Sequence, residues 1–217
     1  MFTNRKDAGQ KLARALEKYR DEEALVLAIP KGGVEVGYQA AKFLNSDFSI
    51  IISRKLPYPD NPEAGFGAMA EDGSAFIIDY AAGGLPPGTI ARIIKEQNQE
   101  IERRITTLRG GKPLPEIAGR TIILVDDGIA MGSTMQAAIS LCKNKKAKRI
   151  VVASPVAGSS TAAELAEVVD DVIILEKPVF FRAVAQVYAN WYDVSDEEVI
   201  QIMDKWKQKD SAKADSS

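Results

Sequence analysis

Ile122-Ile123-Leu124-Val125-Asp126-Asp127-Gly128-Ile129-Ala130-Met131-Gly132-Ser133-Thr134 is the stretch on which the reading of this chain turns. Four consecutive apolar residues describe a strand buried on both faces, the signature of a parallel sheet. Two adjacent carboxylates stand where that strand ends, and small residues then lead into a helix expected over 132–142. In open α/β sheets ligands bind at the carboxyl ends of the strands. Glycine lets backbone N–H groups approach an anion, and a helix N-terminus adds about half a positive charge. Ser133 and Thr134 can add hydroxyl donors, so the loop from Gly128 to Thr134 suits a phosphate. The carboxylates would repel that phosphate and need other partners. Vicinal hydroxyls and a hydrated Mg²⁺ both suit them. A phosphate on one side and a diol on the other describe a ribose 5-phosphate. The plainer alternative is an N-cap, with Asp126 or Asp127 merely starting a helix.

The same grammar extends outward. Leu25 to Ile29, Phe48 to Ser53, Phe76 to Ile78, Ile150 to Ala153 and Val172 to Leu175 are further short apolar runs that read as strands. Helices are expected over 3–20, 34–44 and 161–168. A long one opens at Pro86-Pro87, carries the stripe Ile90, Ile94, Ile101, Ile105 and Leu108, and closes at Gly110-Gly111. Strands alternating with helices imply a doubly wound parallel α/β sheet covered on both faces. Residues 55–67, with three prolines and two glycines, read as a long loop. A single domain over 1–207 is expected, with a small hood built mainly from 1–20 and 178–195 and a polar, disordered tail over 208–217.

Composition removes several chemistries. The 217 residues include no histidine and one cysteine, Cys142, which excludes Ser-His-Asp and Cys-His catalysis, His-ligated metals and an internal disulfide. Basic and acidic residues number 28 and 30, for a net charge of −2. The run Lys143, Lys145, Lys146, Lys148, Arg149 lies between a helix and a strand, where cations complement the helix dipole. No nucleic-acid partner is therefore expected. No apolar run approaches the ~18 residues of a membrane span, so a cytoplasmic location away from membranes is expected.

Residues 122–134 resemble the diphosphate-sugar motif of the type I phosphoribosyltransferases: four hydrophobic residues, two acidic ones, then a phosphate loop. The likeness extends over nearly the whole chain. It is strongest to a small, poorly characterised bacterial group, through the Lys31-Gly32-Gly33 turn, Arg54-Lys55, and Val194-Ser195-Asp196-Glu197-Glu198. The resemblance implies that Asp126 and Asp127 hold the ribose hydroxyls and, through water, Mg²⁺. It implies that Gly128, Ile129, Ala130, Met131, Gly132, Ser133 and Thr134 cradle the 5-phosphate. Pro30-Lys31-Gly32-Gly33 would be the pyrophosphate turn, the alternative being a tight connection with Lys31 in solvent. Arg54 and Lys55 would stand at the root of a mobile catalytic loop, or form a plain surface pair. Glu63 on that loop would be a base, or simply solvated. Phe180, Phe181 and Tyr188 would line a hood that stacks on a base, although an aromatic stripe at helical spacing more often belongs to a core.

The implied reaction is displacement of pyrophosphate from 5-phosphoribosyl 1-diphosphate by a nitrogen of a nucleobase-like acceptor. Ala130 stands where the 6-oxopurine enzymes carry an aspartate, which argues against that branch. Met131 stands where a threonine is usual and cannot offer its hydroxyl. That departure keeps open a second expectation, a weak or inactive protein that senses the sugar diphosphate and regulates a partner. A scaffold that merely retains the fold is the third. By analogy with the fold, a homodimer is expected.

Overall fold

The computed structural model describes residues 1–20 and 22–214, with all their side chains except those of Glu63 and residues 210–214. In chain order the elements are α1 (Arg5–Ala15), β1 (Ala24–Ala28), α2 (Gly33–Leu44), β2 (Asp47–Ile50), β3 (Ser53–Tyr58), β4 (Asn61–Ala70) and β5 (Ala75–Ile77). The short α3 (Asp79–Ala82) and the long α4 (Pro87–Arg109) follow. The second half runs β6 (Thr121–Val125), α5 (Ser133–Asn144), β7 (Arg149–Val156), α6 (Ser159–Ala166), β8 (Asp171–Glu176) and α7 (Asp196–Ala214).

Five strands form a parallel sheet in the order β2-β1-β6-β7-β8. Because side chains alternate along a strand, each central strand feeds two cores. Val26, Ile123, Val125 and Val151 enter one, beneath α1, α2, α4 and α7, together with Leu12, Val36, Ile101 and Trp206. Leu25, Leu27, Ile122, Leu124 and Val152 enter the other, with Met135, Leu141 and Leu165 of α5 and α6. The doubly wound architecture read from the apolar runs is therefore present. The strand order reverses between β1 and β6, which are parallel neighbours, so the turns that follow them open side by side at one edge of the sheet.

Three expectations need correction. The stretch 55–67 is not a loop but most of an antiparallel hairpin, β3 and β4, whose register shifts at Pro57. Prolines and glycines are accommodated there because the arm is irregular and its tip is exposed. The third strand candidate, around Phe76, does not join the parallel sheet. As β5 it pairs antiparallel with β4 to complete a separate three-stranded sheet. The run from Phe48 to Ser53 is divided between the two sheets: β2 ends at Ile50, and Ile51 and Ile52 carry the chain across. Arg109 at the end of α4 ties this crossing down, donating to the Ile50 carbonyl and to buried Glu71, which also accepts from the Ile52 amide.

The start of the chain meets the segment that follows β8. Phe2 bridges to Tyr188, and the Phe2 amide donates to the Val187 carbonyl at 2.7 Å. Helix α7 continues to Ala214, so residues 208–214 of the tail expected to be disordered are helical, and residues 215–217 lie outside the described ones. Trp206 anchors it edge-on against Phe48 and Tyr38.

Candidate active site

Strand β6 ends at Val125, and Asp126 and Asp127 follow at the carboxyl edge of the sheet. The first turn after β1 lies directly against them. A Cβ on Gly32 would collide with the Asp127 carboxylate, and one on Gly33 would stand 2.9 Å from both the Asp126 Cα and the Val125 carbonyl oxygen. Only glycine permits this approach, which brings Lys31, Gly32 and Gly33 together with the acidic pair. The Pro30–Lys31 peptide bond in this turn is cis.

The two carboxylates are held differently. Asp126 Oδ1 accepts the Asp127 amide at 2.8 Å. Burial pushes the Asp126 carboxyl well above its ordinary pKa, and the adjacent Asp127 charge adds to the rise. Asp127 Oδ2 accepts from Arg5 Nε at 2.7 Å, and the Arg5 guanidinium also donates to the Tyr192 carbonyl at 2.9 Å. That guanidinium is buried and lies 4.0 Å from the centre of the Trp191 ring. Tyr188 completes the support by donating its hydroxyl to the Asp127 carbonyl at 2.6 Å.

The loop from Gly128 to Thr134 is only partly as expected. Gly132 adopts φ 76° at the head of α5 and no side chain caps that helix, so its first amides face outward as an anion site needs. Ser133 and Thr134 form the first turn. Ala130 and Met131 are exposed, and Thr161 fixes the Ala130 carbonyl at 2.9 Å. Ile129 does not face the cleft: it is buried, and its amide is spent on the Val156 carbonyl at 2.8 Å. Gly128 lies beneath Val184, whose methyl groups a Cβ would strike.

Arg54 lies on β3, with Nε donating to Gln97 at 3.2 Å. The stem of Lys55 packs across the hairpin over Gly65. Glu63 is in the backbone of β4, and its side chain lies outside the described ones. The hood residues separate. Phe180 is 83% exposed, whereas Phe181 packs beside Val156 and Val187. Tyr188 is not an open stacking face, because it is buried between Phe2 and Trp191 and serves the Asp127 backbone instead.

Arg5 was missed by the reading of α1, though a signal existed. It falls three residues before Ala8 on the stripe Ala8, Leu12, Leu16, so a charge sat on the buried face of an amphipathic helix. Arg103 and Asp196 were also missed. Each looks solvated in sequence, but Asp196 comes within 3.5 Å of Lys31 Nζ and 3.6 Å of Arg103.

Paired carboxylates at a strand's carboxyl edge, a glycine turn closed against them and an uncapped helix start meet at the switch point of a doubly wound α/β sheet. The chain belongs to the phosphoribosyl transferase domain family, which it matches over residues 2–189. Two Mycobacterium tuberculosis proteins whose names class them provisionally as phosphoribosyl transferases are each 35% identical over 207 residues, 94% of this chain. The chain spans about half, 47%, of the length of those relatives. Among solved structures, TT1426 from Thermus thermophilus is 33% identical, superposes with a TM-score of 0.80, and matches over 95% of this chain and 99% of its own. AQ2163 from Aquifex aeolicus, 12% identical with a TM-score of 0.50 over 79% of this chain and 73% of its own, shares the fold alone. No helix among the described residues is long and apolar enough to cross a membrane.

Proposed function

We propose that the site binds 5-phosphoribosyl 1-diphosphate together with Mg²⁺ and transfers the phosphoribosyl group to a nitrogen of a nucleobase-like acceptor. The observation that carries this reading is the closure of the Lys31-Gly32-Gly33 turn onto Asp126 and Asp127. It brings a cation and the turn's backbone beside the same sugar whose hydroxyls the carboxylates would hold. The amides of Gly132, Ser133 and Thr134 then face the 5-phosphate.

In the reaction the acceptor nitrogen attacks C1 of the ribose, and the bond from C1 to the diphosphate oxygen breaks, its electron pair leaving with pyrophosphate. Positive charge develops on the ring, and fixed negative charge beside it stabilises that state. Arg5 and Tyr188 hold Asp127 in place, so its position need not be organised during the reaction. Asp126 and Asp127 would hold Mg²⁺ through water. No group of three or more acidic or thiol side chains among the described residues could hold a metal unaided. Two carboxylates fit an ion that keeps several waters and takes its remaining ligands from diphosphate oxygens. Mg²⁺ would neutralise the leaving group. Crowding two acids in a part-buried position, with Asp126 resisting ionisation, also fits a place where a cation arrives with the substrate.

Calorimetric titration of 5-phosphoribosyl 1-diphosphate with and without Mg²⁺ tests the reading. Micromolar, metal-dependent binding is expected, and absence of binding overturns it. Exposed Met131 favours a second reading, a sensor that binds without turnover, because the phosphate loop lacks a hydroxyl at that position. Binding without pyrophosphate release across a panel of bases and amines would select it.

A further inference from the structure

Resting on the diphosphate site proposed above, we infer that Asp196 is a resident counter-ion of that site, shared by Lys31 and Arg103, and that an incoming diphosphate replaces it. The segment Val194-Ser195-Asp196-Glu197-Glu198 has no part in holding the sugar, yet it is built with care. Val194 and Val199 are buried. The Ser195 amide donates to Glu198 Oε2 at 2.8 Å, and the Glu198 amide donates to Ser195 Oγ at 3.1 Å, a reciprocal cap that fixes where α7 begins. Asp196 is thereby aimed at the pyrophosphate turn. One carboxylate oxygen lies 3.5 Å from Lys31 Nζ and the other 3.6 Å from an Arg103 terminal nitrogen.

Those separations are long for charge-assisted bonds, which run to about 2.7–2.9 Å. Arg103 makes its tight contacts elsewhere, donating through Nε and a terminal nitrogen to the two oxygens of Glu100 at 2.7 and 2.9 Å. Glu100 therefore positions Arg103, and Asp196 is its loose, partly exposed and replaceable partner. Arg104 also binds Glu100, and burial, followed by the nearby charges of Arg104 and Arg103, lowers the pKa of half-buried Arg54. Lys31 and Arg103 thus share one carboxylate, Asp196, while Glu100 is held by Arg103 and Arg104. Two anionic oxygens reaching cations from two separate elements is the pattern a diphosphate would reproduce with more charge than a carboxylate offers. The plainer role for Asp196, a first-turn acid complementing the helix dipole, predicts an effect on stability and none on anion affinity.

The probes are inorganic pyrophosphate and 5-phosphoribosyl 1-diphosphate, titrated calorimetrically into the full chain with Mg²⁺ present. Asp196→Asn should tighten pyrophosphate binding about two- to fivefold, the scale of an exposed ion pair. Asp196→Glu, which keeps the competing charge, should stay at the wild-type affinity, and Arg103→Met should weaken binding by a similar factor. Unchanged or weaker pyrophosphate binding by Asp196→Asn overturns the inference while leaving the sugar site standing if the wild type binds the sugar diphosphate. Pyrophosphate binding that tightens in Asp196→Asn, alongside a wild type that ignores the sugar diphosphate, would uphold the inference and reject the proposed substrate. A wild type that binds neither anion overturns both.

Discussion

The two edges of the parallel sheet carry similar residue types and treat them in opposite ways. At the amino edge, Glu22, Arg120, Thr121, Arg149 and Asp170 line a cleft of about 650 Å³. There the charges are matched: Arg149 pairs with Glu22, Arg120 with Asp47, and Asp170 accepts the Ile150 amide at 2.8 Å. At the carboxyl edge two carboxylates are pressed together, one of them held away from ionisation by burial, with a glycine turn and a cation crowded against them. A satisfied cleft has little left to offer a ligand, whereas an unsatisfied one needs something to arrive. Local electrostatic discomfort, more than the size of an opening, marks the functional edge.

The largest test of this contrast removes the discomfort. Asp126→Asn with Asp127→Asn should cost at least about a hundredfold in sugar-diphosphate affinity, since each charged hydrogen bond is worth ~1.5–3 kcal/mol. Asp126→Asn alone should raise the thermal midpoint of the empty protein at neutral pH. The sign follows from the raised pKa: ionised Asp126 destabilises the fold, and wild-type stability rises as pH falls through the folded pKa towards the ordinary 3.8. Melts across that range should lose this rise in the Asn variant. A lower midpoint at pH 7 would mean the pair is structural.

Glycines at the two edges give the next test. Gly32→Ala should abolish most binding, because a Cβ there collides with the Asp127 carboxylate and the turn must move. Gly119→Ala at the amino edge meets nothing within 4 Å but sits at φ 73°, so it should cost about 1–2 kcal/mol of stability and leave affinity unchanged. The corresponding cations differ as well. Arg5→Met breaks a buried pair and its stack on Trp191, and should cost roughly 3 kcal/mol in chemical denaturation. Arg149→Met, on a solvated pair, should change stability by no more than about 0.5 kcal/mol.

How much of this was legible in the sequence follows from range. The runs Leu25 to Ile29 and Ile122 to Val125 announced buried parallel strands because burial on both faces needs no distant information. That the acidic pair ends a buried strand and that small residues then lead into a helix was legible because local sequence dictates both. The hairpin of β3 and β4 was not, because prolines at 57, 59 and 62 imitate a loop and only the cross-strand pairing overrides them. Tyr188 was read as a base platform because aromatic spacing cannot say which neighbours bury a ring. Asp196 stood in a local motif, but its approach to Arg103, some ninety residues away in the chain, was beyond any local pattern.

The smallest effect concerns Glu100, which Arg103 and then Arg104 hold in its charged form, lowering its pKa from 4.5 to about 2 against the opposing effect of burial. A depressed carboxylate stabilises the fold fully above its unfolded value, and that contribution is lost as pH falls from 4.5 to 2. Arg104→Met removes the contact at 2.9 Å and should flatten the acid limb of the stability curve in that window. At neutral pH it should lower the midpoint only slightly, since the pair is partly solvated. Arg149→Met at the amino edge provides the control and should leave the limb as steep as in the wild type. Equal flattening by both variants would show that the acid limb reports net charge alone, and the two edges would then differ in geometry without differing in electrostatics.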